Sequence, residues 1–271
     1  MTETAPVTET KKKINLPTQP SEPTKDVPSS LIIFGLPKCG KTTKFAELPN
    51  ALNIDIERGT DFIKMMKIQP PAGLGPVGVF AWLREAAKEV KDAGNPYDFV
   101  IVETISYLDE LAEWKGTWDY MNSIQGKSFN RVDGQKGGAF LAFDHPEYQS
   151  VHTLADGAGY RWSRQAMTSI FDACKGLGKV CTIFSCHTAD KSIVTRQTNT
   201  EVKTMDLSLT GKVKQILSRD VDAIGYVWNK DGVLHISFKG DESKLGGMRG
   251  NNHIQGYEGP LDWDMIFKLN K

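Results

Sequence analysis

The chain has 271 residues, 39% of them hydrophobic and 9% aromatic, which suits one sizeable α/β core and excludes a fibrous or wholly unfolded chain. Its 33 basic and 33 acidic residues cancel, so no global field draws it to nucleic acid or an anionic membrane, and any polyanion site must be a local patch. No apolar run reaches the roughly 18 residues of a membrane span, and Met1-Thr2-Glu3-Thr4 lacks the order of a signal peptide. The four cysteines, Cys39, Cys174, Cys181 and Cys186, have neither C-x-x-C nor metal-type spacing, so free thiols in the cytoplasm are expected.

Residues 1–30 are dominated by Pro, Thr, Glu, Lys and Ser and carry too little apolar surface to offset the entropy of ordering, which predicts a disordered tail. Its Lys11-Lys12-Lys13 run is either a solvated charge cluster or a contact for DNA or a partner. From 31 onward, short apolar runs alternate with helical segments: 31–34, 51–56, 99–102, 180–185, 223–228 and 234–238 read as strands. That alternation predicts one α/β domain over 31–271, with a mostly parallel sheet covered by helices on both faces. Between Trp162 and Leu177, apolar residues recur at three- and four-residue spacing through Ala166, Ile170, Ala173 and Cys174, the mark of a helix with one buried stripe. By contrast, 121–159 is rich in Gly, Asn, Gln and Asp and reads as an irregular insertion.

The segment LIIFGLPKCGKTT sets Gly35-x4-Gly40-Lys41-Thr42 directly after an apolar strand and before KTTKFAEL, a helix closed by Pro49. Glycine at both ends of the loop lets backbone N–H groups turn inward around phosphate oxygens, and the following helix start adds favourable partial charge. Lys41 would reach the β- and γ-phosphates and the Thr42 hydroxyl would ligate magnesium, with ATP contacted along Gly35, Leu36, Pro37, Lys38, Cys39, Gly40, Lys41, Thr42 and Thr43. Pro37, Lys38 and Cys39 fill variable positions and need no special role.

Two carboxylates are placed to complete this chemistry. The strand YDFVIVE delivers Glu103 at its C-terminal end, the edge where open α/β sheets hold ligands. Asp98, five residues earlier and roughly 16 Å away along an extended strand, lies at the wrong end. Glu103 is therefore the candidate for the magnesium shell, against a plain surface acid. The run Ile54-Asp55-Ile56-Glu57 puts Asp55 and Glu57 on one face, with Glu57 further toward the ligand edge. Glu57 is the candidate general base, or else a helix cap. His187 closes VCTIFSCH and is either structural or a fourth group at the same edge. The remaining histidines, His145, His152, His235 and His253, are scattered and suggest no metal site beyond magnesium.

The order of phosphate loop, IDIE, strand with terminal acid and strand with polar end resembles the RecA-type ATPase core. More closely, it is similar to phage-encoded RecA-like nucleotide-binding proteins that include the Sak-type single-strand annealing ATPases, over most of 31–267. GLGKVCTIFSCHT, LTGKVKQIL, DVDAIGYVW and LDWDMIFKL share in the likeness. The resemblance implies Lys41 and Thr42 as phosphate and magnesium ligands, Glu57 as catalytic carboxylate, Glu103 as magnesium-shell acid and His187 as γ-phosphate sensor. The family's usual Asp is replaced by Glu103, one methylene longer, which implies slow hydrolysis or a rearranged shell. Homo-oligomers on DNA are also implied, with Arg249 reaching a neighbour's γ-phosphate.

The resemblance puts single-stranded DNA on the loops after these strands, where Lys191, Arg196, Lys203, Lys212 and Lys214 give a modest positive excess, unless they simply decorate a solvated hairpin. Lys127, Arg131 and Lys136 with Phe129 and Phe140 offer a second basic and aromatic set in the insertion. The expected activity is a DNA-stimulated ATPase of phage recombination or annealing. The alternatives are a nucleotide-controlled assembly protein with little hydrolysis, and a small-molecule kinase, for which no Arg-rich lid is visible.

Overall fold

In the computed structural model, described residues are 16–135, 137–194, 201–241, 243–250 and 253–269, with the backbone alone at 190–194 and 201–203. Along the chain lie β1 (Ser30–Gly35), α1 (Lys41–Phe45), β2 (Ala51–Asp55), β3 (Met66–Ile68), α2 (Pro76–Asp92), β4 (Phe99–Glu103) and α3 (Ile105–Met121). Short 3-10 turns at Val151–Thr153 and Ala155–Gly157 lead into α4 (Tyr160–Cys174), β5 (Cys181–Val194), β6 (Glu201–Leu207) and α5 (Gly211–Asp220). The chain closes with β7 (Ala223–Lys230), β8 (Val233–Ser237), β9 (Gly247–Met248), β10 (Glu258–Pro260) and α6 (Trp263–Phe267).

The apolar runs become strands because successive side chains find cover on opposite faces. Ile32, Phe34, Ile54, Val100 and Val102 pack under α2, α3, α4 and α5, whereas Leu31, Ile33, Phe99 and Ile101 meet Phe45 of α1 and Trp263, Ile266 and Phe267 of α6. The sheet order is β10-β8-β7-β1-β5-β4-β2-β3. It is parallel from β7 across to β3 and antiparallel at β8 and β10. This is the expected α/β architecture with a mostly parallel sheet and helices on both faces. Among the described residues no helix is long and apolar enough to cross a membrane.

Several boundaries differ from the sequence reading. Of the expected tail, residues 1–15, including Lys11 to Lys13, lie outside the described residues; 16–26 form no regular element, and the chain is anchored before 31. Val27 packs on the core, and Asp222 accepts from the Ser29 N–H at 2.9 Å and its hydroxyl at 2.7 Å. The helix after the phosphate loop ends at Phe45, short of Pro49. β5 does not stop near His187: where β1 ends at Gly35, opposite His187, β5 continues to Val194 and pairs antiparallel with β6. The buried stripe of α4 includes Ala166, Ile170 and Cys174, joined by Met167 and Phe171 that the spacing did not single out.

The insertion is held by aromatic packing on α3. Trp114 meets Phe143 and Tyr148, each at 5.1 Å between centroids. Phe140 packs on Trp118 at 5.3 Å, Phe129 on Tyr120 at 5.3 Å, and the Arg131 guanidinium lies 3.6 Å over the Phe140 ring. Phe129, Phe140 and Arg131, expected as a stacking set for DNA, are therefore engaged in fastening the insertion to the helix beneath it. Lys127 is exposed, and Lys136 lies outside the described residues.

Candidate functional site

β1, β5, β4 and β2 end at one edge of the sheet, with Gly35 opposite His187 and Asp55 opposite Glu103 in register. Gly35 is required by close approach: a Cβ there would lie 2.4 Å from the Val227 carbonyl oxygen of β7. Gly40 is required by conformation, because its φ of 107° lies where side chains are strained. Between them the loop folds over a cavity of about 420 Å³. Pro37, Lys38, Gly40, Lys41, Thr42 and Thr43 line one side; Asp55, Glu57, Glu103, Thr104 and His187 line the other. Of the predicted loop set, Gly35, Leu36 and Cys39 do not line it.

Lys41 is 5% exposed, and its Nζ donates to the carbonyl oxygens of Gly35 and Leu36, both at 2.9 Å. Burial lowers its pKa, while Glu103 and Glu57 act in the opposite sense. Thr42 Oγ1 donates to Glu103 Oε1 at 2.5 Å, and Asn53 Nδ2 donates to Glu103 Oε2 at 2.8 Å. Burial raises the Glu103 pKa despite these two donors. Asn53 is fully buried, and its Oδ1 has no partner among the described residues. The spacing of the sequence gives no hint of it, since it sits inside a strand that reads as core.

Glu57 accepts from the Thr104 hydroxyl and lies 3.7 Å from His187 Nε2, with about a third of its side chain exposed. Burial pushes its pKa up, but the contacts with His187 and Thr104 outweigh burial and hold it below the ordinary glutamate value. Thr104, which the sequence reading did not single out, also caps α3 by accepting from the Tyr107 N–H at 3.3 Å. The peptide between Glu103 and Thr104 is cis. His187 is half-buried; its backbone N–H donates to Ser106 Oγ at 2.8 Å.

Asp55 is a fixture of the cavity wall. Its carboxylate accepts from the Gly59 and Thr60 N–H groups at 3.1 Å, the Thr60 hydroxyl at 2.6 Å and Gln69 at 2.8 Å. Burial would raise its pKa, but these donors outweigh burial and lower it. Asp55→Ala strands backbone donors in a buried turn and is expected to cost about 3 kcal/mol, read as a fall in melting temperature. A carboxylate with a depressed folded pKa contributes stability above its unfolded value, about 3.9, and loses it as pH falls through the folded value. The melting gap between wild type and variant is thus expected to close in acid; a gap that widens there contradicts this role.

The remaining sequence candidates fall elsewhere. Lys191 and Lys203 lie on the β5–β6 hairpin by their backbone positions, and Arg196 is outside the described residues. Lys212 is exposed in the first turn of α5, whereas Lys214 is ion-paired to Asp206. Arg249 is exposed and its N–H donates to the Asp222 carbonyl at 2.9 Å, at the sheet edge opposite the phosphate loop.

Fold and loop together define a P-loop ATPase domain, a nucleotide-binding class. The chain belongs to the AAA domain family, whose profile matches residues 28–249. Among solved structures it is similar to a prototypical ATPase from the type III secretion system of pathogenic bacteria, with 8% identity and a TM-score of 0.40 over 73% of this chain. The chain spans 51% of that protein's length. No curated protein matches it.

Proposed function

We propose that the chain binds ATP with magnesium and hydrolyses it. The observation that carries this reading is the convergence of Lys41, Thr42, Glu103 and Glu57 on one cavity. The Thr42 hydroxyl and Glu103 carboxylate, 2.5 Å apart, are two hard oxygen donors. They suit a magnesium ion that takes its other ligands from phosphate and water. Bound magnesium would neutralise charge on the β- and γ-phosphate oxygens.

Lys41 holds the same phosphates by charge, and inward N–H groups of the loop orient them. Glu57, kept ionised, accepts a proton as a water oxygen forms a bond to the γ-phosphorus and the bond to the β-phosphate oxygen breaks, releasing ADP. His187, beside Glu57, faces the γ-phosphate as its sensor. Asn53 aims the longer Glu103 arm. Asn53→Leu, which keeps the branching at Cγ and removes both polar atoms, is expected to weaken magnesium-dependent ATP affinity on the order of 10–100-fold while affinity without magnesium is unchanged. Equal losses with and without the metal count against this aim.

We further propose a homo-oligomeric, single-stranded-DNA-stimulated ATPase of Sak type, acting in phage recombination or annealing in the host cytoplasm. The resemblance supports this reading, with Lys191 and Lys203 of the β5–β6 hairpin, Arg196 between them in sequence, and Lys212 as DNA contacts. Lys214 contributes less because Asp206 already neutralises it. The test is ATP turnover against single-stranded DNA concentration, with ring or filament formation followed in parallel. Stimulation with assembly is expected. ATP-dependent assembly without turnover favours the assembly protein, and turnover indifferent to DNA sinks the recombination role.

A further inference from the structure

A second cavity, of about 560 Å³, opens where the last turn of α3 meets the first turn of α4. Tyr120, Gln125, Tyr160, Arg161, Trp162 and Arg164 line it, with small residues of the second 3-10 turn. Its lining carries two cations and no acid; Asp119 and Asp156 adjoin lining residues in sequence but do not line it. Among the described residues neither Arg161 nor Arg164 has a carboxylate partner. Tyr160 is 44% exposed, yet its ring is fixed by stacking on His152 at 4.3 Å and 17°.

His152 is itself clamped. Its Nε2 is 2.7 Å from Ser163 Oγ and its Nδ1 is 3.5 Å from Glu113. That order of hydroxyl, imidazole and acid is one a hydrolase could use, but Ser163 is 6% exposed inside α4, so no acyl group can approach it. The cluster instead holds the Tyr160 ring as a rigid platform. Tyr120 is already engaged, against Trp162 at 5.7 Å and Phe129 at 5.3 Å, and the Arg161 guanidinium lies 5.4 Å over the Trp162 ring.

We propose that this groove binds a short stretch of single-stranded nucleic acid, with a base stacked on Tyr160 and phosphates held by Arg161 and Arg164. Aromatic faces accept any unstacked base, and unpaired guanidinium groups match a phosphate backbone. A duplex hides its base faces, and an acidic peptide would leave the Tyr160 platform unused. The inference rests on the DNA-stimulated reading but moves the principal contact from the β5–β6 hairpin to the insertion. It also ties that contact to the phosphate cavity through one element, because α3 begins two residues after Glu103 and ends at the groove.

The test is fluorescence anisotropy of the full chain with labelled oligothymidylate and oligouridylate across salt concentrations, with and without ATP and magnesium. The double variant Arg161→Gln, Arg164→Gln is expected to lose at least tenfold in affinity and about 1.4 units of salt slope, two single-strand phosphate contacts at about 0.7 each. Tyr160→Ala is expected to lose about tenfold with the slope unchanged. Suppose both variants keep the wild-type melting temperature, affinity and slope, while neutralising Lys191, Arg196 and Lys203 abolishes binding. The groove is then refuted and the DNA reading stands. Poly-glutamate displacing the oligonucleotide as well as unlabelled oligothymidylate does also refutes it. Failure of the wild type to bind either oligonucleotide, with or without ATP, overturns the DNA reading and the groove together.

Discussion

Lys41→Ala is expected to weaken ATP binding by more than a hundredfold while leaving the protein folded. Two carbonyl oxygens at 2.9 Å already hold its ammonium group at the floor of the loop, so little side-chain entropy remains to be lost when phosphate oxygens replace them. A charge-assisted hydrogen bond contributes about 1.5–3 kcal/mol. Losing one such bond together with the charge at the phosphates comes to about 3 kcal/mol, a factor of about 150 in Kd. The fold should tolerate the change, because burial already disfavours this cation and alanine suits the first turn of a helix. Calorimetric titration with ATP, beside a melting curve, reads both quantities. An unchanged Kd in a folded variant would remove the phosphate-site assignment.

Glu57→Gln is expected to keep ATP affinity within about threefold, since shape and neutral hydrogen bonding are preserved, and to lose 10²–10⁴-fold in turnover, roughly the range of a lost general base. Glutamine can still accept from the Thr104 hydroxyl, so the cavity wall keeps its form. The Glu57 pKa is held below the ordinary glutamate value, about 4.3, so the group is ionised throughout the neutral range. The ratio of wild-type to variant rate should therefore be the same at mildly acidic and mildly alkaline pH. Single-turnover rates measure it. If Glu103→Gln blocks hydrolysis with ATP still bound and Glu57→Gln does not, the two carboxylate roles are exchanged.

The phosphate loop is legible in one dimension because its parts are contiguous: an apolar strand, two glycines, a lysine and a threonine within a dozen residues. Glu103 and Glu57 are nearly as legible, since each follows an apolar run and strand ends in a parallel sheet gather at one edge. Their contacts are not. That Asn53 would hold Glu103 depends on β2 lying beside β4. That Thr104 would hold Glu57 depends on how the chain turns out of β4. Both are buried polar groups in runs that read simply as core or cap.

The largest departures arise where distant segments compete for the same side chain. Phe129 and Phe140 read as a free stacking set until α3 presents Tyr120 and Trp118 to them. Lys214 reads as a free cation until the hairpin carries Asp206 to it. Gln125 and Tyr160 stand far apart in sequence and line one groove only because α3 packs on α4. The sequence by itself determined the fold class, the phosphate loop and the candidate acids, because strand and helix periodicity and loop backbone conformation are local properties. Only the tertiary structure decided which polar and aromatic side chains are already engaged and which stand free for a ligand, because pairing and burial depend on neighbours that chain folding brings from elsewhere.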